Sequence, residues 1–589
     1  IMAFNTAHFS RMPASRKPHT RFNKPFTHAG TMMHGDIVPI YGKYVAPGDI
    51  INETIVGNIR MSTPIAPMYS SVKASFNAFF IPMRLIWDNW VYFFGESKTM
   101  GPQTTTYYVP HRGLNCGSSG NYSHVTAGSV SHYLGKPLYK GASIDSASDG
   151  SNVANNVSIL KERAYWLTIS EWYRSEQLED AITIFKDDSV NIYLGAGGVN
   201  GSFSDRCAKT NKDFDYFTTA TVSPTYSATP VTMPIGQNSL APVIADGSFL
   251  HDMTDNGRWH VRAGLKTASI SSGSLANLGI KNTASSASTD GILYSNTEVS
   301  ASSVTDSREM ISSNLYAKLS SAAQASIEEL YLAMAAEAWF HNANYGSRYF
   351  ESLQVHYGVT NPDLVLNRPE HIGEKKIFLN MHQVLSTAGA ANDASTKLGQ
   401  PGANSSTDFK FNLFNKSFGE WGIVLILAST YHERYYTGGV DREDTYRELF
   451  DFYFPEFANI GDQAIRNSEL YYSSGNGSTN DAAFGYQEAW AEMRYSNNRL
   501  SGFLDPYCEA SVNSTQNALA GWTLGEKYSQ LPLLNKTFVK ENRDAIEDAL
   551  VSGSSGPDYL FYFYFDEKAT RELPLYSVPG LPGRGRGII

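Results

Sequence analysis

The feature that most constrains the fold of this chain is a run of six consecutive apolar residues, Ile423–Ala428. A run this short cannot span the hydrocarbon core of a bilayer, which needs about 20 residues in a helix. An unbroken apolar stretch of strand length is typical of a β-strand that is covered on both faces. The sequence therefore predicts a sheet with protein packed against both of its sides.

Other stretches predict further strands and two helices. Ile37–Val45 is rich in β-favouring residues, Val72–Phe80 alternates mostly at period two, and Tyr559–Phe565 is a solid aromatic run. Pro82–Glu96 predicts one short aromatic helix that packs over a sheet end, and residues 161–178 predict a second helix.

Length and composition favour a β protein with large contact surfaces. The 589 residues allow two or more domains, or one domain with insertions. Aromatic residues make up 13% of the chain and charged residues only 18%, a balance that suits extended β structure and protein–protein interfaces. The sequence shows no repeat of fixed period and no clear linker. We therefore expect one β core with insertions.

The charge of the N-terminal residues differs from that of the rest of the chain. A net charge of -10 argues against a protein that coats nucleic acid with its whole surface. Residues 1–35 nevertheless contain no Asp or Glu and predict an irregular basic arm. Its cations are Arg11, Arg16, Lys17, Arg21 and Lys24. The arm either contacts nucleic-acid phosphates on an inner surface or is a solvated or partner-bound tail, and the sequence leaves both open.

Motifs for catalysis, metal binding or cofactor binding do not emerge, and we expect none of these sites. The three cysteines form no Cys-x-x-Cys pair, which fits assembly in a reducing cytoplasm. His432-Glu433 lacks the second histidine of a zinc protease motif, so His432 is interpreted as structural, as are His356 and His371. The residues before the first predicted strand lack the apolar core of a signal peptide, and a protein that is soluble at synthesis is expected.

The central stretch Ser326–Glu374 is dense in anchoring chemistry. Ser326 and Glu329 form a capping-box pattern at the start of a predicted helix that ends near Gly346. An irregular connection is expected after it, held by two arginine–carboxylate pairs. These pairs are Arg348 with Glu351 and Arg368 with Glu370.

Three regions predict long loops or insertions. Residues 97–158 and 387–407 are rich in small and polar residues and predict loops. From 237 to 306 Ser, Ala, Thr, Gly and Asn dominate, with scattered aliphatic residues that indicate short strands. A flexible loop explains this last region equally well.

Several strings of the chain, taken in order, resemble the major capsid proteins of the gokushovirus branch of the microviruses, which are small single-stranded DNA bacteriophages. The strings are Arg84–Trp90, Gly346–Glu351, Tyr357–Val359, Arg368–Gly373, Asp451–Gln463, Phe484–Glu488 and Pro574–Gly580. Each string alone is weak, whereas their order and spacing together are specific.

The resemblance implies a mainly β fold, an eight-stranded antiparallel jelly roll with large loop insertions and a few short helices. It implies a single jelly-roll domain over residues 36–589 after the basic arm at 1–35, with a surface-protruding insertion at 237–318 used in host attachment. It also implies structural anchors within the matching strings. These are Arg84, Trp87, Trp90, Arg348, Glu351, Arg368 and Glu370.

The same resemblance implies a non-enzymatic subunit of a sixty-copy T=1 shell that encloses circular single-stranded DNA. The implied partners are further copies of the chain, the packaged DNA, a small basic DNA-binding protein, an internal scaffolding protein, a minor pilot protein and a host surface receptor. The virion, and the host cytoplasm during assembly, are the implied locations. The alternative is a carbohydrate-binding or carbohydrate-active β-sandwich protein, because Tyr- and Asn-rich loops also suit sugar stacking.

Overall fold

A computed structural model gives the architecture of the protein. It describes residues 19–64, 68, 70–96, 106–113, 125–138, 156–195, 200–223, 240–242, 264–265, 278–281, 292–295, 310–311, 316–318, 334, 349–358, 367–385, 401–458, 461–472, 477–502, 522–524, 533–551, 553 and 556–575. Residues 1–228 and 348–589 form one compact unit, and residues 229–347 form a second.

Strands dominate the described residues. In chain order they are β1 Thr20–Asn23, β2 Phe26–Met32, β3 Val38–Val45, β4 Ile50–Met61, β5 Val72–Pro82, β6 His111–Gly113, β7 Asn156–Ser158, β8 Thr183–Ile184, β9 Tyr193–Leu194, β10 Leu240–Pro242, β11 Gly264–Leu265, β12 Leu278–Lys281, β13 Ile292–Ser295, β14 Met310–Ile311, β15 Tyr316–Lys318, β16 Glu370–Phe378, β17 Met381–Leu385, β18 Pro401–Ser417, β19 Gly422–His432, β20 Asp462–Arg466, β21 Ala483–Glu488 and β22 Tyr559–Arg571.

The helices are short. They are α1 Trp90–Phe93, α2 Val130–Tyr133, α3 Leu160–Thr168, α4 Tyr349–Tyr357, α5 Asn467–Leu470, α6 Gly477–Asn480, α7 Lys536–Val539 and α8 Asp544–Ala549, with a π-helical turn at Ile169–Tyr173 that extends α3. Single 3₁₀ turns lie at Met83–Leu85, Arg442–Thr445, Leu449–Asp451, Pro455–Phe457 and Ala491–Met493. Among the described helices none is long and apolar enough to cross a membrane.

Two antiparallel sheets form the core of the first unit. One has the order β16-β5-β19-β3, and the other has the order β22-β4-β18-β17 with β1 and β2 both paired to the free edge of β22. Strands β2, β3, β4, β5, β16, β18, β19 and β22 alternate between the two sheets in chain order, except that β5 and β16 are neighbours in the same sheet. Two antiparallel Greek keys give this pattern. The predicted mainly β fold, with antiparallel sheets and a few short helices, is confirmed, and the two sheets contain six and four strands.

The core lies between these sheets. The ring of Phe76 in β5 contacts Phe409, Phe411 and Phe563 of the opposite sheet at centroid distances of 5.3, 5.3 and 5.5 Å. A side chain at Gly57 would not fit, because its Cβ would lie 2.6 Å from the ring of Phe563. Close packing of this kind fixes which residues of each strand face inward.

The strongest sequence patterns predicted their strands correctly. All residues of β19 are buried, as expected of a strand covered on both faces. In β22 buried residues alternate with exposed or half-buried ones from Tyr559 onward. β5 contains its predicted run, and β3 covers the predicted run from Val38. The helix expected over 161–178 is present as α3 and its π turn.

Four expectations about local structure were wrong. The arm is not irregular to residue 35, because β1 and β2 pair with β22. The helix expected at Pro82–Glu96 is two separate turns, Met83–Leu85 and α1. The connection after Gly346, expected to be irregular, contains α4. The loop expected at 387–407 is replaced from Pro401 onward by β18.

The second unit contains nested strand pairs. β10 pairs with β15, β11 with β14 and β12 with β13, all antiparallel. In the sequence, both strands of each later pair lie between the two strands of the earlier pair. The short strands expected in residues 237–306 are therefore present. The predicted capping-box helix lies outside the described residues except for Met334, which is helical.

Candidate functional site

The predicted anchors around α1 hold the end of β5. Arg84 Nε lies 3.1 Å from Glu420 Oε2, in the connection that leads into β19. Trp87 is fully buried and its indole Nε1 donates to Asp188 Oδ1 at 2.6 Å. Trp90 packs against Trp421 at a centroid distance of 6.5 Å. These contacts join neighbouring connections at one end of the sheet.

The central arginine–carboxylate pairs have partners different from those predicted. Arg368 Nη1 donates to Glu351 Oε1 at 2.9 Å, and Glu370 is paired with Lys416. The predicted pairing of Arg368 with Glu370 is therefore wrong, and Arg348 lies outside the described residues. Because Glu351 is in α4 and Arg368 precedes β16, the observed pair closes the connection between these two elements.

The arm is described only in its last part. Arg21 in β1 is exposed, whereas Lys24 Nζ, between β1 and β2, lies 3.5 Å from the buried Glu567. Arg11, Arg16 and Lys17 lie outside the described residues.

The outward face of the six-stranded sheet, here called the sheet face, combines aromatic and charged side chains. Leu560, Tyr562 and Tyr564 of β22 are 53%, 52% and 37% exposed. Strand register puts further residues on the same face. The charged ones are Arg21, Arg60, Lys410, Lys568, Asp408 and Asp566.

A second exposed apolar surface is the segment Leu449–Tyr453, here called the aromatic segment. Leu449 and Phe450 are 66% and 68% exposed, and Phe452 and Tyr453 are also exposed. The carboxylate of Asp451 accepts the backbone N–H groups of Arg447 and Glu448, which fixes the turn that presents these side chains. Contiguous exposed apolar residues of this kind mark contact surfaces.

Three side chains that could ligate a metal meet inside the first unit. They are His34, in the turn between β2 and β3, His432, the last residue of β19, and Glu541, between α7 and α8. All three are fully buried. His34 Nε2 lies 2.9 Å from His432 Nδ1 and 3.3 Å from Glu541 Oε1, and His432 Nδ1 lies 3.2 Å from Glu541 Oε1.

The surroundings keep this cluster in defined charge states. Burial, together with the nearby Arg434 guanidinium, lowers the pKa of His432 to about 3. Burial alone would raise the pKa of Glu541, but Arg434 and His432 outweigh it and hold that pKa well below its usual range. At neutral pH His432 is therefore neutral and Glu541 is ionised.

Another buried carboxyl group lies between the sheets. Glu53 in β4 is fully buried opposite Glu567 in β22, and neither of its oxygens has a hydrogen-bond partner among the described residues. Glu567 is paired with Lys43, whose Nζ lies 2.6 Å from Oε2. Burial, reinforced by the charge of Glu567, raises the pKa of Glu53 to about 8.

Sequence reasoning missed both buried groups. His34 and His432 are 398 residues apart, and no local pattern connects them. Glu53 occupies an inward position of β4. The only sequence signal for this unusual place for a carboxylate is the alternation of apolar residues along the strand.

Comparisons with known proteins give a consistent result. The family model described as "Capsid protein (F protein)" matches residues 10–581. The chain is 28% identical over 613 residues to "Capsid protein VP1" of Chlamydia phage 1, covering 97% of each protein. It is also 28% identical over 589 residues to "Capsid protein VP1" of Bdellovibrio phage phiMH2K, covering 98% of each. A third match of 28% identity, over 599 residues and 97% of each protein, is "Capsid protein VP1" of Spiroplasma virus 4.

Proposed function

Because this chain belongs to the Capsid protein (F protein) family, we propose that its copies close into a T=1 icosahedral shell around a circular single-stranded DNA genome. The family match along nearly the whole chain is the observation that carries the proposal. Membership gives the chain a structural role in the virion, formed by association of its own copies. The number of copies and the enclosed genome are the proposed part.

Subunit contacts in such a shell need exposed apolar surface that is weakly charged. The aromatic segment has this character, with four exposed apolar side chains within five residues. We assign it to a contact between neighbouring copies. Many weak contacts of this kind, repeated by symmetry, are sufficient to close a shell.

Contact with DNA is assigned to the arm and to the sheet face. Tyrosine rings stack on unpaired bases, and nearby Arg and Lys side chains neutralise phosphates. On the sheet face, Tyr562 and Tyr564 follow Leu560, which is paired with Arg60, and Lys410 lies in the same row as Tyr564. Since the whole chain carries a net charge of -10, a small basic DNA-binding protein is expected to supply most of the neutralisation.

The second unit is proposed to project from the shell and to contact a host surface receptor. Its nested strand pairs bring the two ends of the insertion together at β10 and β15, as an outward projection requires. An internal scaffolding protein and a minor pilot protein are proposed as further partners, with assembly in the host cytoplasm.

Electron microscopy of the purified chain, coexpressed with its neighbouring viral genes, tests the proposal. Closed shells a few tens of nanometres across, counted as sixty copies by image reconstruction, are the expected result. A monodisperse monomer that never assembles with these partners would overturn it. The carbohydrate-binding alternative would then return, although the matches described above are all capsid proteins.

A further inference from the structure

We propose that His34, His432 and Glu541 form a structural binding site for one divalent transition-metal cation, with Zn²⁺ as the ion that best fits the ligand set. The three candidate ligand atoms form a nearly equilateral triangle with sides of 2.9, 3.2 and 3.3 Å. In a simple hydrogen-bonded chain the two end groups lie farther apart than this. The three atoms therefore lie close enough together to be bound by one ion.

The size of the triangle agrees with tetrahedral coordination. With Zn–N and Zn–O bonds of about 2.0–2.1 Å, the edges of a tetrahedron are roughly 3.3 Å long. A cation at that bond length from all three atoms would stand about 1 Å out of their plane, which leaves a fourth position for water. Two imidazoles and one carboxylate are a ligand set that zinc uses in proteins.

Neighbouring groups orient both imidazoles. The hydroxyl of Tyr559 lies 2.9 Å from His34 Nδ1, so the other nitrogen of His34 is directed at the cluster. The ring of Trp522 packs edge-on against His432 at a centroid distance of 5.0 Å and helps to exclude water. A hydrogen bond to the outer nitrogen of a ligating histidine is the usual second contact of a metal site.

Arg434 bears most directly on the charge of the site. It donates to Glu541 Oε1 and, at 2.8 Å, to Asn542 Oδ1, while Glu541 Oε2 is buried without a hydrogen-bond partner among the described residues. The oxygen in the ligand triangle, Glu541 Oε1, is therefore the one that the guanidinium also contacts, so a cation at the site would compete with Arg434 for it. Because the two positive charges repel each other, Arg434 should weaken metal binding.

The other charged groups around the cluster balance each other. The backbone N–H of His34 donates to Asp558, which is itself paired with Arg543. The net charge facing the site therefore comes from Glu541 and Arg434. Replacing Arg434 by a neutral residue should strengthen binding, an effect that a purely hydrogen-bonded cluster does not predict.

A bound cation would connect three distant parts of the chain. The ligands come from the turn after β2, the end of β19 and the segment between α7 and α8. Joining residues far apart in sequence stabilises the folded state because metal binding free energy adds to folding free energy. The site is fully buried, so its role is structural.

The test uses the full-length chain purified without a histidine tag, stripped with chelator and then dialysed against Zn²⁺. We expect about one tightly bound Zn²⁺ per chain and a rise in Tm that depends on Zn²⁺ concentration. Tyr559→Phe should weaken Zn²⁺ binding about 10- to 100-fold, whereas Arg434→Gln should strengthen it. His371→Gln, at a half-buried histidine outside the cluster, is the matched control and should leave binding unchanged.

Replacing the ligands themselves, as in His432→Gln or Glu541→Gln, should abolish tight binding. If those variants do not fold, the wild-type chain loaded with Co²⁺ decides the matter, because four-coordinate N/O ligation gives intense visible absorption bands. Wild-type protein without stoichiometric Zn²⁺, without those bands, or with binding equal to that of the ligand variants would overturn the proposal. The cluster would then be a hydrogen-bonded core network.

Discussion

At the scale of single residues, Glu53 makes stability depend on pH. Its pKa is about 8 in the folded protein against 4.5 for an ordinary glutamate. The folded state therefore holds this proton more tightly, and its stabilising effect is complete below about pH 4.5 and lost as pH rises through 8. Each pH unit in that window should lower the free energy of unfolding by up to about 1.4 kcal/mol.

Glu53→Gln keeps the size of the side chain but removes the titration. We expect the variant to gain stability over the wild type as pH rises from 5 to 8, measured by denaturant unfolding of unassembled protein. Glu443→Gln changes an exposed carboxylate and should follow the wild type. Parallel pH profiles for wild type and Glu53→Gln would contradict the assignment.

Residue types predicted the anchors, but not their partners. Sequence proximity suggested that Arg368 pairs with Glu370, two positions along. Residues two apart in an extended chain lie on the same face, so local spacing alone could not exclude this pair. The folded chain instead brings Arg368 to Glu351 and Glu370 to Lys416. The side chains nearest to buried His34 and Glu53, which include His432 and Glu567, lie hundreds of residues away in the sequence, and no local pattern encodes that proximity.

At the scale of elements, the nested strands of the second unit suggest how to remove it cleanly. Deleting residues 245–305 removes β11, β12 and β13 but leaves β10 and β15 to pair. We expect particles to form with yields near that of the wild type while adsorption to the host is lost. Electron microscopy and a cell-binding assay measure the two effects.

A shorter deletion provides the control. Removing only residues 283–290 leaves Asn282 and Gly291 as a two-residue turn between β12 and β13, so every strand pair of the unit can be kept. This variant separates loss of the hairpin loop from loss of the whole unit. Failure of the larger deletion to assemble would show that the insertion is needed for the shell itself.

Sequence patterns predicted the elements whose environment is uniform. β19 is buried along its whole length and β22 alternates regularly, so their composition reflects their surroundings. β1 and β2 were missed because they lie at a sheet edge with one exposed face, and their basic residues resemble those of a tail. α4 was missed because its string was interpreted through pairing chemistry rather than helical period.

At the scale of the whole molecule, the basic arm should affect DNA content more than assembly. Replacing Arg11, Arg16, Lys17, Arg21 and Lys24 by Gln should lower the DNA packaged per particle more than the yield of shells. If all five contact phosphates, the plot of the logarithm of the single-stranded DNA binding constant against the logarithm of salt concentration should become less steep by about 3.5. Nuclease-protected DNA per particle and salt titrations measure these effects.

Lys24→Gln alone is the control, since Lys24 also lies 3.5 Å from Glu567. It should change the stability of the subunit slightly. Its effect on the packaged DNA should not exceed that of losing one phosphate contact. An unchanged DNA content in the fivefold variant would contradict a role for the arm in packaging.

The aromatic segment should control association of subunits. Phe450→Ser with Phe452→Ser removes two exposed rings, so folding of the subunit should be unaffected while the concentration needed for assembly rises. A loss of about 1.4 kcal/mol per contact corresponds to a tenfold weaker contact. Light scattering and sedimentation of assembly reactions measure the change.

Tyr108→Ser, at an aromatic residue that is 76% exposed elsewhere, is the matched control and should assemble normally. Wild-type assembly by the double variant would exclude the segment from the subunit contacts.

The position of β22 has a consequence for the timing of synthesis. This strand lies between β2 and β4, although it follows β4 by about 500 residues in the chain. A ribosome must therefore translate the chain through β22 before the six-stranded sheet can close. Prematurely terminated chains lack an inner strand rather than an edge, so they cannot enter a growing particle as nearly correct subunits. The fold thus acts as a check that each subunit has been translated through β22.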